Sequence, residues 1–127
     1  MSQKSVARRL FIREDFTILL VNEPEGYRTL LGQLPPNVTV LTKPTEPFDL
    51  IQVFVISRKE LEDQLEKLKR FLKPKGLFWV TYPKGRSKIK ADINRDSIAK
   101  YARTIGLEGV AMISVDDTWS ALRLKIV

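Results

Sequence analysis

The 127 residues predict an α/β fold: a mainly parallel sheet of about six strands in the order 2-1-3-4-6-5, the last strand antiparallel, with helices on both faces. Three observations carry this. Residues 16–22 and 50–56 are continuous apolar runs, as in strands covered on both faces, rather than polar-apolar alternations. Segments with helical spacing separate such runs. The last two strands are joined by only Asp116-Asp117-Thr118-Trp119-Ser120, too short for a parallel crossover, so they must form an antiparallel hairpin. The length suits one domain, residues 1–127.

Taken in order, Phe16 to Asn22 is the first strand, and Glu23-Pro24-Glu25-Gly26 is a turn with Pro24 suited to a helix start. Glu23 is the expected cap. Tyr27, Leu30, Leu31 and Leu34 repeat at helical spacing until Pro35-Pro36-Asn37. Val38 to Leu41 is a short strand, and Leu50 to Ile56 is the next. Ser57 and Glu60 then form an S-x-x-E capping box, in which each side chain satisfies an orphan backbone N–H. Leu61, Leu65, Leu68 and Leu72 give that helix, residues 58–72, its apolar stripe, and Pro74 and Gly76 end it. Leu77 to Tyr82 is the fourth strand, with Phe78 and Trp79 as core. Asn94 caps a helix that buries Ile98, Tyr101, Ala102 and Ile105 and stops at Gly106. Gly109–Val115 and Ala121–Val127 form the hairpin.

Composition removes much chemistry. The chain has no cysteine and no histidine, which excludes disulfides, thiolate metal sites and Ser-His or Cys-His nucleophile pairs. No metal ligand set is expected. Lysine and arginine total 22 against 15 acids, a net charge of +7 that favours anionic partners. Residues 77–105 hold seven basic side chains against two acids, so the excess is concentrated there. Leu10-Phe11-Ile12 is too short an apolar run for a signal peptide or membrane span, so a cytoplasmic, membrane-free protein is expected.

An open parallel sheet binds ligands beyond the carboxyl ends of its strands. Several candidates fall at that edge. Lys84-Gly85-Arg86-Ser87-Lys88-Ile89-Lys90 holds four basic residues in seven around a glycine and a hydroxyl, a pattern suited to phosphate or a nucleic-acid backbone, or to a solvated loop. Asp116, Asp117 and Trp119 lie in the hairpin turn, where paired carboxylates either hold a ligand or accept backbone hydrogen bonds. Asn22 follows the first strand. No residue is assigned a catalytic role.

Pro47-Phe48-Asp49-Leu50-Ile51, the passage Leu72-Lys73-Pro74-Lys75-Gly76-Leu77-Phe78-Trp79-Val80 and the closing hairpin resemble the Rossmann-like methyltransferases that use S-adenosylmethionine, over roughly residues 48–127. The segments Leu20 to Tyr27, Tyr82 to Gly85 and Asp116 to Arg123 resemble a bacterial and archaeal family of small proteins with a reduced methyltransferase-like domain and no assigned activity. In the methyltransferases a glycine-rich turn follows the first strand. Here Val21-Asn22-Glu23-Pro24-Glu25-Gly26 stands in its place, and Lys43 stands where an acid commonly ends the second strand. From these departures no cofactor is expected, and S-adenosylmethionine is not expected to bind. The function expected is a non-catalytic methyltransferase-like domain that binds an anionic ligand, such as a phosphate-bearing molecule or nucleic acid, or a protein partner that includes a second copy of itself. The alternatives are a small transferase with a rearranged cofactor pocket and a basic nucleic-acid-binding module. Clustering of Lys73 and Lys75 with Lys84 to Lys90 on one face would favour the last.

Overall fold

The apolar runs fold as strands of one sheet. The computed structural model describes residues 4–45 and 47–127. Its elements are α1 (Val6–Arg9), β1 (Thr17–Val21), α2 (Tyr27–Leu31), β2 (Thr39–Leu41), β3 (Phe48–Phe54), α3 (Arg58–Lys69), β4 (Leu72–Pro83), α4 (Arg95–Thr104), β5 (Leu107–Ser114) and β6 (Trp119–Ile126). The sheet order is β2-β1-β3-β4-β6-β5. β1 to β4 pair in parallel, and β6 runs antiparallel to both its neighbours. This is the predicted topology.

Side-chain alternation along each strand divides the core between two faces. Ile51, Val53, Phe78 and Val80 pack under α3 and α4, meeting Leu61, Leu65, Leu68, Ile98 and Ala102. Ile18, Leu20, Leu50, Phe54 and Trp79 pack on the other face against Val6, Ala7, Tyr27 and Leu31 of α1 and α2. Asn94 caps α4 reciprocally with Ser97. In α3, Ser57 Oγ accepts from Glu60 N–H at 3.1 Å, while Glu60 Oε1 accepts from Ile56 N–H at 2.9 Å. Ser57→Ala should cost about 1 kcal/mol, the usual worth of such a cap. Urea denaturation checks it, and an unchanged midpoint would mean the cap contributes nothing.

Several boundaries differ from expectation. α2 stops at Leu31 because Gly32 turns left-handed, at φ 83°, before the prolines are reached. α1 was not foreseen; its cap is Ser5, which accepts from Arg8 N–H at 3.2 Å. α3 ends at Lys69, and Phe48 N–H binds Phe71 O at 2.7 Å, drawing the chain into β4 from Leu72. Pro74 and Gly76 therefore lie within β4 rather than ending a helix. Phe48 pairs with Leu72 and Leu50 with Leu77, so two steps on β3 face five on β4 and three surplus residues bulge out. Gly76 fits tightly there: a Cβ would lie 2.6 Å from Leu72 Cδ1 and 3.0 Å from Lys73 O, so a larger residue would push the Leu72 side chain aside.

Candidate functional site

Parallel pairing brings the carboxyl ends of β1, β2, β3 and β4 to one edge, together with the β5–β6 turn. The edge has two distinct parts. Over β1 the chain turns through Asn22 at φ 60° and Gly26 at φ 82°, both left-handed. Asparagine tolerates this conformation because its short polar side chain bonds locally. Nothing lies within 4 Å of a Cβ built on Gly26, so the turn opens outward. Gly26, not Glu23, is the N-cap of α2, and no side chain caps it. Glu23 instead pairs with Arg28 at 3.3 Å.

Beneath this turn lies a buried polar chain that the sequence reading missed. Tyr27 hydroxyl donates to Gln52 Oε1 at 2.7 Å, and Gln52 Nε2 donates to Thr81 Oγ1 at 2.9 Å. The Tyr27 ring stands edge-on to Phe54 at 4.7 Å, and Phe54 edge-on to Trp119 at 5.1 Å. Burial pushes the Tyr27 phenol well above its ordinary pKa, more than the bond to Gln52 lowers it. A glutamine inside the apolar run Leu50 to Ile56 was the available signal.

The second part lies over β4 and β6. Lys84 Nζ donates to Ser114 Oγ at 2.7 Å and Lys84 N–H to Thr118 O at 2.7 Å, fastening the basic loop to the hairpin turn. Lys84 and Arg86 line a cavity of about 550 Å³ with Tyr82, Asn94, Arg95 and Met112. The N-terminal turn of α4 forms part of its wall. Burial also raises the Tyr82 phenol pKa, while the Arg95 charge lowers it.

The remaining sequence candidates are dispersed. Ser87 and Lys88 do not line this cavity; Ser87 N–H bonds Lys84 O at 2.9 Å and holds the loop's turn. Asp116 Oδ1 accepts from Thr118 N–H at 2.9 Å and Trp119 N–H at 2.8 Å, the hydrogen-bonding alternative named for it. Asp117 is exposed, and Trp119 is buried against Phe54 rather than presented as a surface. Asn22 sits over β1, apart from the basic loop. Lys73 and Lys75 lie at the opposite end of β4 from Lys84 to Lys90, with roughly 20 Å of strand between Leu77 and Pro83. The single basic face that would favour a nucleic-acid module is not formed. Among the described residues, no three carboxylates gather at one point, and no helix is long and apolar enough to cross a membrane.

No family model and no curated protein matches the chain. Solved structures do match its fold. The DhpI–SAH complex aligns with a TM-score of 0.65 at 12% identity, covering 96% of this chain and 82% of that one. A SAM-dependent methyltransferase from Aquifex aeolicus aligns with a TM-score of 0.64 at 16% identity, covering 96% and 88%. The DhpI–SAM–HEP complex aligns with a TM-score of 0.64 at 12% identity, covering 95% and 84%. The expectation of no cofactor is corrected by these neighbours, two of which are complexes with SAH or SAM. In the place of the glycine-rich turn, Asn22 as well as Gly26 adopts a left-handed conformation. At these identities the likeness establishes the fold: the chain is a Rossmann-like, methyltransferase-like α/β protein.

Proposed function

We propose that this chain is a methyltransferase-like binding domain that takes an S-adenosyl ligand over the carboxyl end of β1. The observation that carries this is the turn after β1, where left-handed Asn22 and Gly26 frame an outward-facing backbone with open space above Gly26. The donor set suits the ligand. Such a molecule presents an ammonium group and ribose hydroxyls, which call for hydrogen-bond acceptors. Glu25 is exposed, Glu23 is half-buried, and the Asn22 amide offers both a donor and an acceptor. These carboxylates supply at β1 the acidity that Lys43 denies to the end of β2. Asn22 and Glu25 would hold the group, and S-adenosylmethionine when bound would bring a sulfonium methyl.

Binding without transfer is the function favoured here. Tyr27 is the phenol nearest the turn in sequence, and its hydroxyl proton is committed to Gln52 while burial opposes ionisation. Calorimetric titration with S-adenosylhomocysteine should give a dissociation constant in the micromolar range. Asn22→Ala with Glu25→Ala should weaken it about tenfold or more, at roughly 1 kcal/mol or above for the lost hydrogen bonds. No heat at millimolar ligand would overturn the proposal, and methyl transfer to any acceptor would replace binding with catalysis.

The cavity at Lys84 and Arg86 supports a second ligand of anionic character. Three cations, Lys84, Arg86 and Arg95, converge there with the N-terminal turn of the ten-residue α4, against one acid, Asp96, which pairs with Arg95 at 3.5 Å. Each charge-assisted contact to phosphate contributes roughly 1.5–3 kcal/mol. Arg86→Ala should therefore weaken phosphate-bearing ligands in this cavity about tenfold or more, while Lys88→Ala, outside it, should leave them as they were. Titrations at two salt concentrations, with thermal melts as the folding control, distinguish these results; unchanged affinity would return the loop to ordinary surface.

A further inference from the structure

A separate cavity of about 430 Å³ lies at the opposite edge, where the segment joining α1 to β1 passes the amino ends of β3 and β4. Nothing proposed above uses it. Four cations line it, Arg13, Lys73, Lys75 and Arg123, against one acid, Asp49. Asp49 is already satisfied: Oδ1 meets Lys73 Nζ at 3.0 Å and Oδ2 accepts from Thr17 N–H at 2.8 Å. Lys73 is thereby the paired cation. Among the described residues, Arg13, Lys75 and Arg123 form no ion pair.

The bulge in β4 explains how the lysines come to line it. Three surplus residues between Leu72 and Leu77 loop Lys73 to Gly76 outward, which a regular strand would not do. Opposite them stands Phe11, 44% exposed and left-handed at φ 64°. For a bulky aromatic this backbone conformation is an outlier, held only where surroundings impose it. The surroundings are on view: Leu10 O just before it accepts from Trp79 Nε1 at 3.0 Å, and the Arg123 guanidinium lies 5.5 Å from the Phe11 ring centroid. An aromatic face with a guanidinium on it thus flanks a cluster of cations, in a cavity within the size range of small-molecule sites.

We propose that this cavity binds a mononucleotide, its base against Phe11 and its phosphate on Arg13 and Lys75. A phosphate alone would use the cations and leave the exposed part of the Phe11 ring, beyond the Arg123 guanidinium, unused. A base alone would leave the charge unanswered. A nucleotide answers both, since aromatic faces stack bases and lysine and arginine bind phosphate.

The test is titration with AMP and with ribose 5-phosphate, which carry the same phosphate with and without the base. AMP should bind about tenfold more tightly. Phe11→Ala should erase that difference while leaving ribose 5-phosphate unchanged. Arg13→Ala with Lys75→Ala should weaken both ligands about tenfold or more and flatten their salt dependence. These three side chains are exposed, so folding should persist, and Lys75→Glu provides a second variant if the pair does not fold. The preference for AMP over ribose 5-phosphate should persist in Arg86→Ala, which weakens only the anion cavity at the far edge. Equal binding of AMP and ribose 5-phosphate would overturn the proposal. So would loss of the AMP preference in Arg86→Ala, indifference to Arg13 and Lys75, or absence of binding at low salt. Tighter binding of an oligonucleotide than of AMP would also overturn it, by making the occupant a polymer.

Discussion

Trp79→Ala should destabilise the fold by about 3–5 kcal/mol, the range for emptying a large aromatic site in a core. Trp79 is wholly buried at the centre of the sheet, on the face covered by α1 and α2. Its indole N–H donates to Leu10 O and so anchors the end of α1, a helix of only four residues, to β4. Alanine would remove the packing and leave that carbonyl without its partner. Native domains have only about 5–15 kcal/mol in total, so the loss would consume much of the margin. The melting temperature should fall by roughly 10–20 °C. Trp79→Phe, which keeps most of the volume and loses the donor, should cost clearly less. Urea denaturation of both variants checks this, and a cost under about 1 kcal/mol for alanine would show that the site collapses without penalty.

Gln52→Leu is expected to be nearly as damaging although it adds apolar surface. It would leave the buried Tyr27 hydroxyl and Thr81 Oγ1 without their partners, at about 1–3 kcal/mol for each group. Adding Tyr27→Phe and Thr81→Val should recover most of that loss, because replacing every polar member together removes the unmet hydrogen-bonding demand. A triple variant as unstable as the single one would refute the chain as the cause. Burial raises the Tyr27 pKa in the folded state. The proton is therefore held more tightly when folded, a stabilisation present below the ordinary phenol pKa of about 10 and lost as pH rises above it. Alkaline destabilisation should be smaller in Tyr27→Phe than in wild type, with the raised Tyr82 and Tyr101 groups common to both.

What the sequence revealed was whatever a local pattern encodes. The doubly buried runs, the Ser57–Glu60 capping box, the Asn94 cap and the short connection Asp116 to Ser120 each state their own geometry, and together they yield the strand order. Long-range partners override local signals elsewhere. Pro74 and Gly76 read as a helix stop because their pairing against β3, and the bulge it produces, are set by Phe48 and Leu50 far away in sequence. Asp116 was legible only as two alternatives, since the backbone donors that claim it depend on the turn's closure. Gln52 stood in plain view in an apolar strand, but its partners come from α2 and β4. The amino-edge cavity was hidden for the same reason: Phe11, Lys75 and Arg123 meet only after the sheet has formed.

The central claim, an S-adenosyl ligand seated over β1, is tested most directly by mapping amide chemical shifts during titration with S-adenosylhomocysteine. Saturable shifts should gather at Asn22, Glu23, Glu25 and Gly26 and at Thr42 and Lys43 beside them, with the residues around Phe11 and Lys75 unmoved. Shifts confined to the Phe11–Lys75 edge, or no shifts at millimolar ligand, would contradict it.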